Sequence, residues 1–323
     1  MTGCSTDLAL AHDAPIVCMH EPALTVCGFL GFGEVASRFA QRLRDRGARV
    51  LAYDVLLDRP GGRETLVARA IGPPPELMSL VDLLAQADVV LSTVTTDVAL
   101  PVAEDCVALL RPRQLYVDLN ASSPSVKRET ASAIAQSAAD FVEGAILSAI
   151  GVAGADAKIL LCGRRADEVT AILSRLGLNA HTYGTEIGKA SSFKMLRGVF
   201  SKGLEALLIE FRLAGRRAGV EQALWQEIVA TMDAASFDEV GGNWVRTHAT
   251  AHRRRYHEML QVAEVLRDLH VDAPMTSATI ALFERSTALG LRDAFPEPPA
   301  SPGDVIAALD ARIDARAHGT RDA

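Results

Sequence analysis

Gly31, Gly33 and Ala36 stand in a G-x-G-x-x-A arrangement between the apolar run TVCGFL and the amphipathic stretch EVASRFAQRL. Glycine-rich turns of this kind, placed between a strand and a helix, bind pyrophosphates through backbone amides and the helix dipole. Gly31 permits the tight turn, Gly33 lets an anion approach the backbone, and Ala36 is small enough for close packing of helix on strand. Phe32, Glu34 and Val35 supply the rest of that backbone. Asp54 closes the next apolar run, RVLAYDV, where a carboxylate can accept hydrogen bonds from adenosine ribose hydroxyls. Strand, glycines, helix and acid in this order predict a dinucleotide site. Asp54 would repel a 2'-phosphate and Val55 follows it, so NAD is expected over NADP, with Arg59 and Arg63 keeping NADP open.

Further along, Ser92, Thr93 and Val94 end the run DVVLSTV and are expected to meet the same cofactor. Asn120 and Ser122 follow QLYVDLN at the carboxyl edge of a sheet, where open α/β folds bind ligands, while Ser123 before Pro124 also reads as a helix cap. The segment THATAHRRRYHEMLQVAEVL carries three histidines and three consecutive arginines. On a helix His248, His252, Arg255 and Met259 share one stripe with Val262 and Leu266, whereas His257 lies nearly opposite. Arg255 and His252 suit a carboxylate or phosphate better than a metal, because the motif holds no glutamate and no third ligand is evident. No metal is therefore expected. Nothing resembles a G-x-S-x-G nucleophile elbow.

These residues need a scaffold, and the chain provides one in two parts. Runs apolar on both faces (TVCGFL, RVLAYDV, DVVLSTV, QLYVDLN, FVEGAIL, KILLCG) alternate with amphipathic stretches, the βαβ rhythm of a doubly wound parallel sheet covered by helices. From Gly188 to Gly219 apolar residues recur at helical spacing without a proline, predicting one helix of about 45 Å that joins the sheet domain to a second domain. Everything beyond reads as helical. The expected division is an extension over 1–22, a Rossmann-type α/β domain over 23–186 and an all-α domain over 187–323.

Hydrophobic residues are 49% and charged residues 23% of 323, the balance of folded globular chains. A formal charge of -7 disfavours a nucleic-acid partner, which would require excess lysine and arginine. No apolar run approaches membrane-spanning length, and Asp7 and Asp13 stand where an export signal would be apolar. Five scattered cysteines without a CxxC pair fit a reducing cytoplasm.

Four segments resemble the β-hydroxyacid dehydrogenase family, the group of 3-hydroxyisobutyrate and 6-phosphogluconate dehydrogenases. GFLGFGEVA followed by AYDV resembles its dinucleotide signature, DLNASSP its substrate-side turn, FVEGAILSAIGVAGADAKILLCG its substrate segment, and GKASSFKMLRG the start of its interdomain helix. The resemblance implies that Lys194 is the catalytic general acid/base, that Asn120, Ser122 and Glu143 face substrate, and that the protein is a homodimer. A lysine suits that task when desolvation or nearby cations lower its pKa. The departures fall on the substrate side. Gly198, preceded by Arg197, replaces the family's usual asparagine four residues after the lysine, EGAILSA replaces a form closer to DAPVSGG, and His257 lies near the position of a family lysine. They match a less characterised subgroup with a divergent C-terminal domain.

The expected activity is an NAD(P)-dependent dehydrogenase or reductase working on the CH–OH group of a small β-hydroxyacid, oxoacid or related aldehyde. An imine or specialised biosynthetic reductase on the same scaffold, and a non-catalytic dinucleotide-binding protein, are the alternatives; retention of Lys194 counts against an imine reductase.

Overall fold

The computed structural model describes residues 24–319, so the extension expected over 1–22 lies outside the described residues. The chain divides into two compact units, one up to Arg197 and one from Gly198 onward.

The first unit is built on one eight-stranded sheet: β1 (Val26–Leu30), β2 (Arg49–Tyr53), β3 (Glu76–Leu77), β4 (Val89–Ser92), β5 (Leu115–Asp118), β6 (Asp140–Ile146), β7 (Ile159–Cys162) and β8 (Ala180–Gly184). Helices α1 (Glu34–Asp45), α2 (Gly62–Arg69), α3 (Leu80–Gln86), α4 (Ala99–Cys106), α5 (Pro124–Ile134), α6 (Ile150–Ala153) and α7 (Ala166–Arg175) connect the strands. The spatial order is β3-β2-β1-β4-β5-β6-β7-β8, so chain direction across the sheet reverses between β1 and β4, the switch point at which such folds bind ligands.

Two-sided burial follows from the strand period of two. Phe29, Val50, Leu91 and Val117 enter one core, while their neighbours Leu30, Leu51, Val90 and Tyr116 enter another on the opposite face. Register then aligns the strand ends: Leu30 faces Ser92, Ser92 faces Asp118, and Asp118 faces Glu143. The residues just beyond these ends share one edge.

The sheet departs from the expected all-parallel form at one place, because β6 and β7 are antiparallel, with Glu143 opposite Cys162 and Ile146 opposite Ile159. Their connection carries the four-residue α6 and a 3-10 turn at Gly154–Asp156, too little helix to cross a sheet face and return parallel.

Helix α8 (Lys189–Arg217) is the long helix expected from the sequence, and α9 (Glu221–Asp233), α10 (Phe237–Asp268), α11 (Pro274–Ala288), α12 (Leu291–Ala294) and α13 (Pro302–Gly319) follow it. No strand is present after Gly184 among the described residues. Ser236 and Glu239 form a reciprocal capping box at the start of α10. The helical unit's small core gathers Ala249, Leu291 and Val305. Glu210 is a remote cap in the same unit, accepting from the amides of Met275 at 2.7 Å and Thr276 at 3.0 Å at the start of α11.

Candidate functional site

The turn after β1 is fixed from several sides. Gly31 has φ +80, and a Cβ there would lie 2.9 Å from Val94 Cγ1 and 3.0 Å from the Thr93 carbonyl oxygen, so only glycine fits. Its amide donates to the Tyr53 carbonyl at 2.8 Å, and Thr93 Oγ1 donates to its carbonyl at 2.8 Å. The Phe32 amide donates to Asp54 Oδ2 at 2.9 Å and the Leu56 amide to Oδ1 at 2.9 Å. Phe32 itself is fully buried, so it serves this turn through its backbone and not its ring.

Gly33 is the N-cap of α1, in extended conformation, and a Cβ built on it meets nothing within 4 Å. The amides of Gly33, Glu34 and Val35 meet no acceptor among the described residues. Unoccupied donors at a helix N-terminus, with open space before them, fit a pyrophosphate. A cavity of about 560 Å³ continues from this point, lined by Gly31, Gly33, Asp54, Arg69 and Val98 among others. Asp54 is half-buried on its wall, so its carboxylate is within the reach of a ribose. These residues fit a nicotinamide dinucleotide. Glu34 is exposed and pairs with Arg38 at 3.5 Å.

A second cleft, about 320 Å³, lies beside the turn and brings together Val35, Thr93, Val94, Asn120, Ser148 and Lys194. Ser92 is not on its surface. It is fully buried and accepts a 2.9 Å hydrogen bond from Asn120 Nδ2, a correction to its expected contact with cofactor that follows from the inward pleat at the end of β4. Asn120 Oδ1 and Ser122 Oγ are buried without partners, as is Asp118 Oδ2. Below them Lys127 is wholly buried, 3.0 Å from Asp118 Oδ1 and donating to the Asp118 carbonyl at 2.8 Å. Burial holds its ammonium below the ordinary lysine range, opposed by the charges of Asp118 and Glu143.

Glu143, expected to face substrate, is instead fully buried, with Oε2 accepting from the Gly188 amide at 2.5 Å and Oε1 from the Ser191 amide at 2.7 Å. Both oxygens serve the first turn of α8, and full burial shuts the carboxylate away from a ligand. The Arg197 guanidinium donates to the Leu147 carbonyl, and a Cβ on Gly198 would meet open space. Buried thiols add no reactive sulfur, since burial pushes Cys27 and Cys106 up to about 12 and Cys162 up to about 11.

The remaining candidates belong to the helical unit. His252 is fully buried, with Nδ1 against the His248 carbonyl at 2.9 Å and Nε2 unpartnered. Arg255 reaches the Trp244 carbonyl and Thr247 Oγ1, and with His248 and Ser286 it lines an apolar cavity of about 550 Å³ within that unit. Burial, with His252 and Arg255 nearby, lowers His248 to about 4. His257 is exposed, its ring against Tyr256, so the inward stripe runs through His248 and His252.

Comparison with known proteins agrees with this geometry. Residues 26–122 match a family described as "NADP oxidoreductase coenzyme F420-dependent" and residues 216–286 a "Domain of unknown function (DUF1932)". A conserved hypothetical protein from Sinorhizobium meliloti is 33% identical, covering 90% of this chain and 97% of its own, with TM-score 0.58. Conserved protein MTH1747, of unknown function and described as structurally similar to 3-hydroxyacid dehydrogenases, is 34% identical over 85% of this chain and all of its own (100%), with TM-score 0.56. The chain belongs to the β-hydroxyacid dehydrogenase family.

Within that family it sits in a less characterised subgroup whose C-terminal domain is divergent. An uncharacterised 28.5 kDa protein from Methanothermus fervidus is 28% identical across 80% of this chain and 97% of its own length. A reductive aminase from Aspergillus terreus solved with NADPH has TM-score 0.65 at 18% identity, covering 83% of this chain and 95% of its own, a likeness of fold alone. The fold is that of NAD(P)-dependent oxidoreductases of the hydroxyacid dehydrogenase and imine reductase type. Sequence reasoning missed Arg69 and Lys127. Arg69 carries no motif and reaches the turn only because Ser37 Oγ on α1 donates to its carbonyl at 2.6 Å. Lys127 looks like any helical lysine, and only its place three residues after Pro124, opposite a strand-end Asp118, hints at burial.

Proposed function

We propose that this chain is an NAD-dependent dehydrogenase or reductase acting on a small β-hydroxyacid, oxoacid or related aldehyde, with Lys194 as general acid/base. The observation that carries the reading is the cleft Lys194 shares with Asn120 and Thr93, directly beside the open amides of Gly33 to Val35. A nicotinamide dinucleotide bound there supplies the hydride acceptor or donor. The amides at the start of α1 receive its pyrophosphate charge, and Asp54 takes the ribose hydroxyls and disfavours a 2'-phosphate. Neutral Lys194 Nζ would accept the proton from the substrate hydroxyl oxygen as hydride passes from the carbinol carbon to the cofactor during oxidation, and would return it to that oxygen during reduction. Asn120 lines the cleft and is placed to orient the substrate, with Ser122 buried behind it.

The functional division falls at 186/187, where α8 is about to begin, giving a cofactor domain over 23–186 and a helical domain over 187–323. A homodimer is supported by apolar side chains the helical unit leaves exposed, among them Trp244 at 51%, Leu282 at 56% and Ile306 at 57%. Three free buried thiols, Cys27, Cys106 and Cys162, accord with a cytoplasmic setting, and among the described residues no helix is long and apolar enough to cross a membrane.

A screen of hydroxyacids, oxoacids, aldehydes and imines, followed at the reduced nicotinamide absorbance, tests the reading. Turnover of an oxygen substrate that falls at least a hundredfold in Lys194→Ala supports it. Turnover of imines alone, or an undiminished Lys194→Ala variant, contradicts it.

A further inference from the structure

The first turn of α8 has no local cap. Gly188 precedes it with φ +99, a conformation that favours glycine and brings no side-chain oxygen of its own. A serine or aspartate at an N-cap would satisfy the orphan amides at little cost. This chain uses instead a carboxylate from another element, removed from water, although burying a carboxylate is expensive unless its hydrogen bonds are all made. Glu143 on β6 grips the amides of Gly188 and Ser191 at 2.5 and 2.7 Å. Six residues after Ser191 the Arg197 guanidinium donates to the Leu147 carbonyl, just past the carboxyl end of the same strand. Between these anchors Ala190 is seated in a small buried cluster with Ala145, Leu160 and Cys162.

Lys194 lies between the two anchors. The strand that anchors its helix also supplies Ile146 to the cleft that Lys194 lines. Strand register puts Glu143 beside Asp118, whose Oδ1 accepts the Asn120 amide at 2.9 Å. Cleft wall and lysine helix are therefore tied to one another through a buried carboxylate as well as through Arg197 and Ala190.

We propose that Glu143 is a positioning residue: by capping α8 from β6 it sets where Lys194 stands against the cleft. The assignment rests on Lys194 being the acid/base group of the proposed reaction. A remote cap does what a local one cannot, because it fixes the helix to the sheet as well as satisfying its amides.

The test uses the cofactor-free full chain labelled with ζ-15N-lysine. Only five lysines are present, and Lys194→Arg assigns the relevant signal. In Glu143→Gln, one amide loses its acceptor and meets a donor, and the local negative charge is gone. Displaced against the cleft, the Lys194 signal is expected to titrate at a pH different from the parent's by about half a unit or more, while NADH affinity stays within about threefold of the parent. Where a substrate is in hand, kcat falls about tenfold or more with KM little changed. A Lys194 titration and kcat equal to the parent's in a folded Glu143→Gln variant overturn the proposal. Should that variant not fold, Glu143→Asp, which keeps the charge and loses the reach to both amides, carries the same kcat test: a loss supports positioning and parental turnover overturns it. Failure of the parent to bind NADH defeats the functional reading and leaves the lysine titration standing as an independent result.

Discussion

The amide of Phe32 donates to Asp54 Oδ2 at 2.9 Å, so the residue between the two glycines of the turn is tied to the acid that follows β2. A second bond, from Leu56 to Oδ1, occupies the other oxygen. Each carboxylate oxygen keeps a further lone pair, which lets Asp54 brace the turn and still accept a ribose hydroxyl.

Asp54→Asn keeps the shape and one acceptor while removing the charge. NADH is expected to bind roughly tenfold more weakly and the proposed preference for NADH over NADPH to shrink by about the same factor, since hydrogen bonds to charged groups contribute about 1.5 to 3 kcal/mol. Fluorescence titration of both reduced cofactors decides it; an unchanged preference would remove Asp54 from cofactor selection.

Gly31 and Gly33 separate folding from binding. Gly31→Ala strains a φ of +80 and drives a methyl against the Thr93 carbonyl, which is expected to cost about 1 to 3 kcal/mol of stability along with binding. Gly33→Ala places a methyl in open space, so thermal stability should hold within about 0.5 kcal/mol while NADH affinity drops at least tenfold. Thermal melts beside NADH titrations of both variants give the comparison, and a Gly33→Ala protein that binds as the parent does would contradict the proposed pyrophosphate seat.

Much of this architecture was legible because its causes are local. Runs such as VLAY and VVLS must be buried on both faces, and that alone calls for a helix-covered sheet. Strand direction is a different matter. The sequence ILLC of β7 reads the same in either direction, and its antiparallel placement comes from the brevity of α6. β3 went unseen because Glu76 and Leu77 are too few to show a period. In the site, the glycine turn and Asp54 were readable as a spacing, whereas Ser92 was expected at the cofactor from its place at a strand end and Glu143 at the substrate from the family resemblance. Their actual partners, Asn120 and the amides of Gly188 and Ser191, are brought near only by folding.

His248 gives the helical unit a pH dependence of known sign. Burial lowers it from 6.5 to about 4, so between those values the unfolded chain takes up a proton that the folded chain refuses. Stability is therefore full above about pH 7 and declines as pH falls from 6.5 toward 4, by roughly 3 kcal/mol from this group. Both tryptophans, Trp225 and Trp244, lie in this unit, so denaturant unfolding followed by their fluorescence at pH 7 and pH 5 reports on it. His248→Gln keeps a partner for Ser286 and cannot titrate; the acid-side loss should shrink in it, and an identical loss in both proteins would exclude His248 as its source.

Calorimetric titration of the folded parent with NADH, repeated with Gly33→Ala, tests most directly whether the amides opening α1 hold a dinucleotide. The expected outcome is saturable binding at one site per chain in the parent, weakened at least tenfold by the added methyl. No heat from oxidised or reduced NAD or NADP, on protein shown to be folded, would contradict it.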